Sequence, residues 1–208
     1  MVVLLNILKE KKHYKTIEIR RKANKMAIYR KIEGKSVYLS PATIEDADFT
    51  YRIRQDKERT KYMHRVEGGV EAQKNWINNQ REREGDYFFV VFTSEGMPIG
   101  TASAYNINNN EAEIGRVLLN GNKIQNMEAL VLIYDFAFYH IKVDMIKAEI
   151  AVDNIASLGV ALRMGGVETY RDYNEEVSSE MVWVEVYKEE YFKRHDGLIK
   201  LIDRFGNR

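Results

Sequence analysis

Residues 111–140 read EAEIGRVLLNGNKIQNMEALVLIYDFAFYH, and a change of period inside this stretch decides the architecture. Glu111 to Leu119 reads as a strand. Glu111 and Glu113 then share one face, because strand side chains repeat every two residues. After Asn120 the period changes. Residues 127–140 are apolar on most sides, so the helix they form should lie deep in the core. Working upstream, Tyr87 to Thr93 is rich in aromatic and β-branched residues and reads as a strong strand. Glu95-Gly96 supplies a turn, a second strand runs from Pro98 to about Asn106, and Asn108-Asn109-Asn110 is a second turn. Three strands joined by short polar turns read as an antiparallel meander.

Further out, Ser36 to Leu39 reads as a short strand interrupted by Pro41. Thr43 can cap a helix, with Asp46 three residues on and Ala47, Phe49 and Ile53 as its apolar stripe. Gly68-Gly69 breaks the chain, and residues 70–84 read as an amphipathic helix carrying Trp76 and Ile77. On the C-terminal side, residues 145–152 alternate like a strand. Residues 154–164 form a short helix with Ile155, Leu158 and Leu162 on one stripe and Gly165-Gly166 as its stop. Residues 180–187 are another strand. The order β-α-α-β-β-β-α-β-α-β predicts an α/β fold around one sheet. The tail from Lys188 to Arg208 predicts a helix packed on the sheet or on a second subunit, so a homodimer is among the expected arrangements.

Composition narrows the function. The 208 residues and 24.3 kDa suit one domain with a sizeable core. A formal net charge of +1, from 32 basic and 31 acidic side chains, gives no field to steer the chain onto nucleic acid or an acidic membrane. Residues 1–31 are dense in Lys and Arg and read as a basic N-terminal extension to a domain over residues 32–208. A basic arm can serve RNA or an acidic partner; the interleaved Glu10 and Glu18 favour a solvated helix or loose extension. Translation from Met26 is a further reading. There are no cysteines, which excludes disulfides, thiolate metal sites and a cysteine nucleophile. The four histidines are scattered singly, so no metal site is expected. The apolar run Val2 to Leu8 precedes its lysines, the reverse of a signal peptide, and no segment reaches the ~20 apolar residues of a membrane span. A cytoplasmic location is expected.

Three residue groups carry a resemblance. They are Glu111 to Arg116 after the Ile99-Gly100 turn, the junction from Asn120 to Ala129, and Asn154-Ile-Ala-Ser157 followed by Gly165. In this order, over roughly Ser36 to Tyr187, the chain resembles the GNAT superfamily of acyl-CoA N-acyltransferases. The pattern looks closest to the branch that acetylates ribosomal-protein N-termini and amino sugars. The resemblance implies a mixed, mostly antiparallel central sheet flanked by helices. It also implies transfer of an acetyl group from acetyl-CoA to a primary amine (N-terminal, amino-sugar or other small amine) by direct attack. A non-catalytic relative that binds CoA weakly and serves as a partner-binding module is the alternative.

The resemblance also assigns residues. A loop opening a helix offers unpaired N–H groups and the positive end of its dipole to the CoA pyrophosphate. Gly121, Asn122, Lys123, Ile124, Gln125 and Asn126 hold that place. Where the family's loop carries two glycines, this chain has Ile124 and Asn126, so the loop either binds phosphate by a shifted geometry or binds it weakly. Asn154 and Ser157 match residues that touch CoA in the family, although Asn154 is also a good helix cap. Val117 and Leu119 would pair through their backbones with the pantetheine arm, as an added strand does. Glu113 is the expected base, with Glu149 the second choice; its rival role is an ion pair with Arg116 or Arg163. Many family members carry a Tyr four residues after the Ser of the helix, and that position is Ala161 here. Tyr134, Tyr139, Tyr170 and Tyr173 could stand in as the acid.

Overall fold

The computed structural model describes Lys25, residues 27–108 and residues 110–205. The chain divides into two units, Met1–Arg30 and Lys31–Arg208. Most of the basic extension lies outside the described residues. Those of the first unit that are described make a helical turn in which the Tyr29 N–H donates to the Lys25 carbonyl at 2.8 Å.

The second unit is built on an eight-stranded sheet. Its strands are β1 (Ile32–Glu33), β2 (Val37–Pro41), β3 (Tyr87–Thr93), β4 (Pro98–Asn108), β5 (Glu111–Leu119), β6 (Met145–Ala151), β7 (Val167–Asn174) and β8 (Ser179–Tyr187). They lie in the order β1-β2-β3-β4-β5-β6-β8-β7. Every neighbouring pair is antiparallel except β5 with β6. The helices are α1 (Ala47–Ile53), α2 (Gly69–Glu82), α3 (Lys123–Asp135), α4 (Ile155–Arg163) and α5 (Lys188–Phe205). A 3₁₀ turn, Ile44–Asp46, leads into α1, and a π-helical turn, Phe136–Ile141, extends α3. The α/β class and the mixed, mostly antiparallel sheet expected from the sequence are the architecture observed.

Four elements differ from the sequence reading, each for a local reason. Pro41 ends β2 opposite Phe89 and does not break it, since a strand terminus tolerates the missing N–H. Helix α3 starts at Lys123, four residues earlier than its apolar pattern. Asn122 Oδ1 accepts the N–H groups of Ile124 and Gln125, both at 2.9 Å, and Gln125 Oε1 accepts that of Asn122 at 2.9 Å. This reciprocal capping box satisfies the orphan donors of the first turn. Strand β7 is exposed along almost its whole length and so carries no burial alternation to read. Strand β1 is only two residues long.

The core sits between α3 and the sheet. Phe136 is fully buried and meets Phe89 edge-on at 5.1 Å and Tyr87 at 5.2 Å between ring centroids. Helix α5 buries Tyr191, Leu198 and Ile202 and packs on α3 and β8. A buried carboxylate fixes the far edge. Glu128 on α3 is 4% exposed and accepts the backbone N–H groups of Lys35 and Ser36 (the latter at 2.9 Å) and the Ser36 hydroxyl. It thereby pins the β1–β2 turn to the central helix. Hydrogen bonds to a charged acceptor contribute about 1.5–3 kcal/mol each. Glu128→Ala should therefore lower unfolding free energy by about 3 kcal/mol, and Glu128→Gln by roughly half that, in urea titrations followed by circular dichroism.

Candidate active site

The site begins where two parallel strands part. β5 and β6 pair only at Glu111↔Met145, Ala112↔Ile146 and Glu113↔Lys147. From Ile114 onward β5 has no strand partner on that side among the described residues. The fork opens into a cleft of ≈ 520 Å³. A bulge causes the parting. Thr101 faces Leu118 while Ser103 faces Gly115, so β5 carries one extra residue against β4. Arg116 sits there in the left-handed region, at φ 50°. A bulge bends its strand and increases the local twist, which carries the end of β5 away from β6.

A left-handed arginine is strained and must be held by its surroundings. Arg116 donates from two nitrogens to Asp86, at 2.6 and 3.3 Å. Its guanidinium lies 4.1 Å from the Tyr105 ring centroid and 5.2 Å from that of Trp76. Asp86 is buried and takes a further hydrogen bond from Gln80 at 3.1 Å. The Arg116 carbonyl accepts the Thr101 hydroxyl at 2.8 Å. Helix α2 and strands β4 and β5 thus share in fixing one dihedral angle.

At the apex of the fork stands Glu113. It pairs with neither Arg116 nor Arg163. Its carboxylate accepts the Tyr105 hydroxyl at Oε1 and the Asn106 amide at Oε2, the latter at 2.8 Å. Tyr105 faces Glu113 directly in the register and lies across Gly115, where a Cβ would come within 2.6 Å of the Tyr105 hydroxyl oxygen. Glycine at 115 is therefore what lets the phenol reach the carboxylate. Burial, then the hydrogen bond to Glu113, push the Tyr105 phenol far above its usual range. Glu149 on β6 also lines the cleft, and burial, then the charge of Glu113, hold its carboxyl above the ordinary value. Glu111 turns to structural use in an ion pair with Lys147 at 2.7 Å.

Of the residues matched to CoA, the cleft walls contain Val117, Leu119, Asn126, Asn154 and Ser157. Gly121, Asn122, Lys123, Ile124 and Gln125 lie outside that lining. Lys123 to Asn126 belong to the first turn of α3, so Ile124 and Asn126 need no positive φ. The donors there are already engaged by the Asn122 cap, with the Asn126 N–H on the Asn122 carbonyl at 2.9 Å. Gly121 permits this closure, since a Cβ would lie 2.9 Å from Asn126 Oδ1 and from Gln125 Oε1. Asn126 Oδ1 itself is sealed from solvent with no hydrogen-bond partner. Asn154 caps α4 by accepting the Ser157 N–H at 3.2 Å.

Among the tyrosines, Tyr134 lines the cleft and is buried, which drives its phenol far upward; Tyr139, Tyr170 and Tyr173 are more than half exposed. Ala161 also lines the cleft. Sequence reasoning missed a third wall. Arg54, Arg59, Tyr62, Met63 and His64 come from the segment between α1 and α2, which has no period to read. Arg59 donates to Asn120 Oδ1 at the end of β5, and His64 pairs with Glu176 on the β7–β8 turn. The segment is thereby tied to the structure on both sides of the cleft.

A family profile described as "Acetyltransferase (GNAT) domain" matches residues 36–167. The chain belongs to this family and is an acyltransferase. The probable N-acetyltransferase YjcK of Bacillus subtilis (strain 168) is 28% identical over 149 residues, 64% of this chain and 82% of that protein. Among solved structures, apo FdhC, a nucleotide-linked sugar GNAT, superposes with a TM-score of 0.72 at 23% identity, covering 83% of this chain and 98% of its own. The spermidine N-acetyltransferase of Vibrio cholerae, in complex with CoA and spermine, gives 0.69 at 15% identity, covering 76% and 99%. These two structures share the fold with this chain. No helix among the described residues is long and apolar enough to cross a membrane.

The Glu149 carboxyl should respond to the charge of its neighbour Glu113. In Glu113→Gln the Glu149 carboxyl should titrate at lower pH than in the parent, because loss of a nearby negative charge favours ionisation. Carboxyl ¹³C NMR reads this directly; an unmoved Glu149 would show that the two groups do not interact.

Proposed function

We propose that this chain transfers the acetyl group of acetyl-CoA to a primary amine by direct attack, with Glu113 receiving the amine proton. The fork between β5 and β6, with Glu113 at its apex, is the observation that carries the reading. The amine must lose a proton to attack, and a carboxylate within reach directly or through one water can take it. The N–C bond forms as the C–S bond breaks, and the thiolate leaves to be protonated. Ala161 offers no proton for that step. Tyr134 lines the cleft with its phenol held protonated, which supports it, or a water beside it, as the donor.

Acetyl-CoA fits the residues present. The unpartnered edge of β5 at Val117 and Leu119 offers main-chain groups to the amides of the pantetheine arm, in the manner of an added strand. Asn126 lines the cleft beside them. Asn154 and Ser157 line the opposite wall. At α3 a pyrophosphate would replace the exposed Asn122 carboxamide, exchanging one acceptor for another at the N–H groups of Ile124 and Gln125, beside Lys123.

Titration calorimetry with acetyl-CoA should give micromolar binding; no binding at millimolar ligand would overturn the proposal. In Glu113→Gln, kcat should fall at least about 100-fold with the affinity for acetyl-CoA retained. Asn122→Ala should cost about 1 kcal/mol of stability through loss of the cap. It should nonetheless bind acetyl-CoA at least as tightly as the parent, because it removes the competing acceptor.

A further inference from the structure

The neighbouring structures are named for molecules as different as a nucleotide-linked sugar and spermidine, so the fold by itself does not choose the acceptor. The charges of the cleft bear on that choice. Among the described residues, the basic side chains that line it are Arg54, Arg59, His64 and Arg116. Arg116 is neutralised by Asp86, Arg59 pairs with Asp56 at 3.3 Å, and His64 pairs with Glu176. Arg54 has no acidic partner among the described residues. Its Nη2 donates to the His64 carbonyl, and its Nε is sealed from water without a partner. Burial, then the charge of Arg116, disfavour its cationic form, and no carboxylate offsets them. A half-buried guanidinium without a counter-charge is costly, and a bound anion removes that cost.

The same cleft holds two carboxylates that form no ion pair with a described lysine or arginine, Glu113 and Glu149. Its free charges are therefore of both signs: two carboxylates on the β5–β6 side and one guanidinium at the end of α1. A polyamine would bring a second ammonium toward Arg54, and an uncharged amine would leave Arg54 unpaired. We infer that the acceptor is an amine that also bears an anionic group, a carboxylate or a phosphate, and that Arg54 binds that group while the amine meets Glu113 and Glu149. A guanidinium binds either oxyanion through paired N–H donors. The inference rests on the acetyl-transfer reading of this cleft.

The test compares matched acceptors with acetyl-CoA and the full chain: glucosamine 6-phosphate against glucosamine, β-alanine against β-alaninamide, and spermidine. The anionic member of at least one pair should show a KM lower by at least about tenfold. The pair that responds separates phosphate from carboxylate. Arg54→Gln should reduce that preference to less than about twofold, and Arg54→Lys, folded by circular dichroism, should keep part of it. Equal use of charged and neutral members, or preference for spermidine, overturns the inference and leaves the acetyl-transfer reading standing. So does an Arg54→Gln protein that keeps its preference but binds acetyl-CoA more weakly, which would assign Arg54 to the cosubstrate. Absence of both acetyl-CoA binding and turnover overturns both.

Discussion

Everything at this site depends on β5 leaving β6 after three residue pairs. A parallel pair that ran its full length would close the sheet and leave no cleft. The strands part because β5 carries an extra residue at a bulge whose central residue is a left-handed arginine. That conformation is expensive for a residue with a side chain. It persists because the guanidinium is gripped by a buried aspartate and laid across two aromatic rings. The strain of one residue, balanced by partners on α2, on the α2–β3 connection and on β4, creates the working surface.

The carboxylates divide by how their oxygens are used. Asp86 and Glu128 are buried, and each takes several donors; they join elements distant in sequence. Glu111 is spent on Lys147. Glu113 and Glu149 lie in the cleft without a lysine or arginine partner among the described residues, one steadied by neutral donors and the other made harder to ionise by burial and by the first. A group kept from salt bridges retains its capacity to accept a proton or an ammonium. The segment between α1 and α2 then adds the opposite charge through Arg54, and its ties at Arg59–Asn120 and His64–Glu176 hold that charge over the fork.

Much of the fold was legible in the chain. β3 and β5 fall within the residues that their composition marked out, because buried strands and tight polar turns impose a local period. Asn154 announced the start of α4 as a helix cap. The start of α3 was also written in the sequence, as Asn122 followed three residues on by Gln125, but its signal is side-chain capping and an apolar period overlooks it. Strand β7 had no such signal, since it is exposed along almost its whole length and pairs with β8 at the edge of the sheet.

By itself, then, the sequence determined the order of elements, the helix caps, the class of sheet and the presence of Glu113 on a strand, all properties of neighbours along the chain. Only the tertiary structure decided which charges remain unpaired. Arg116 finds Asp86 thirty residues away, Glu113 finds Tyr105 across a ladder, and Arg54 finds no acid among the described residues. Pairing of this kind depends on distances of a few ångströms between side chains from different elements. Coulomb attraction and desolvation act on those distances, and no local period encodes them.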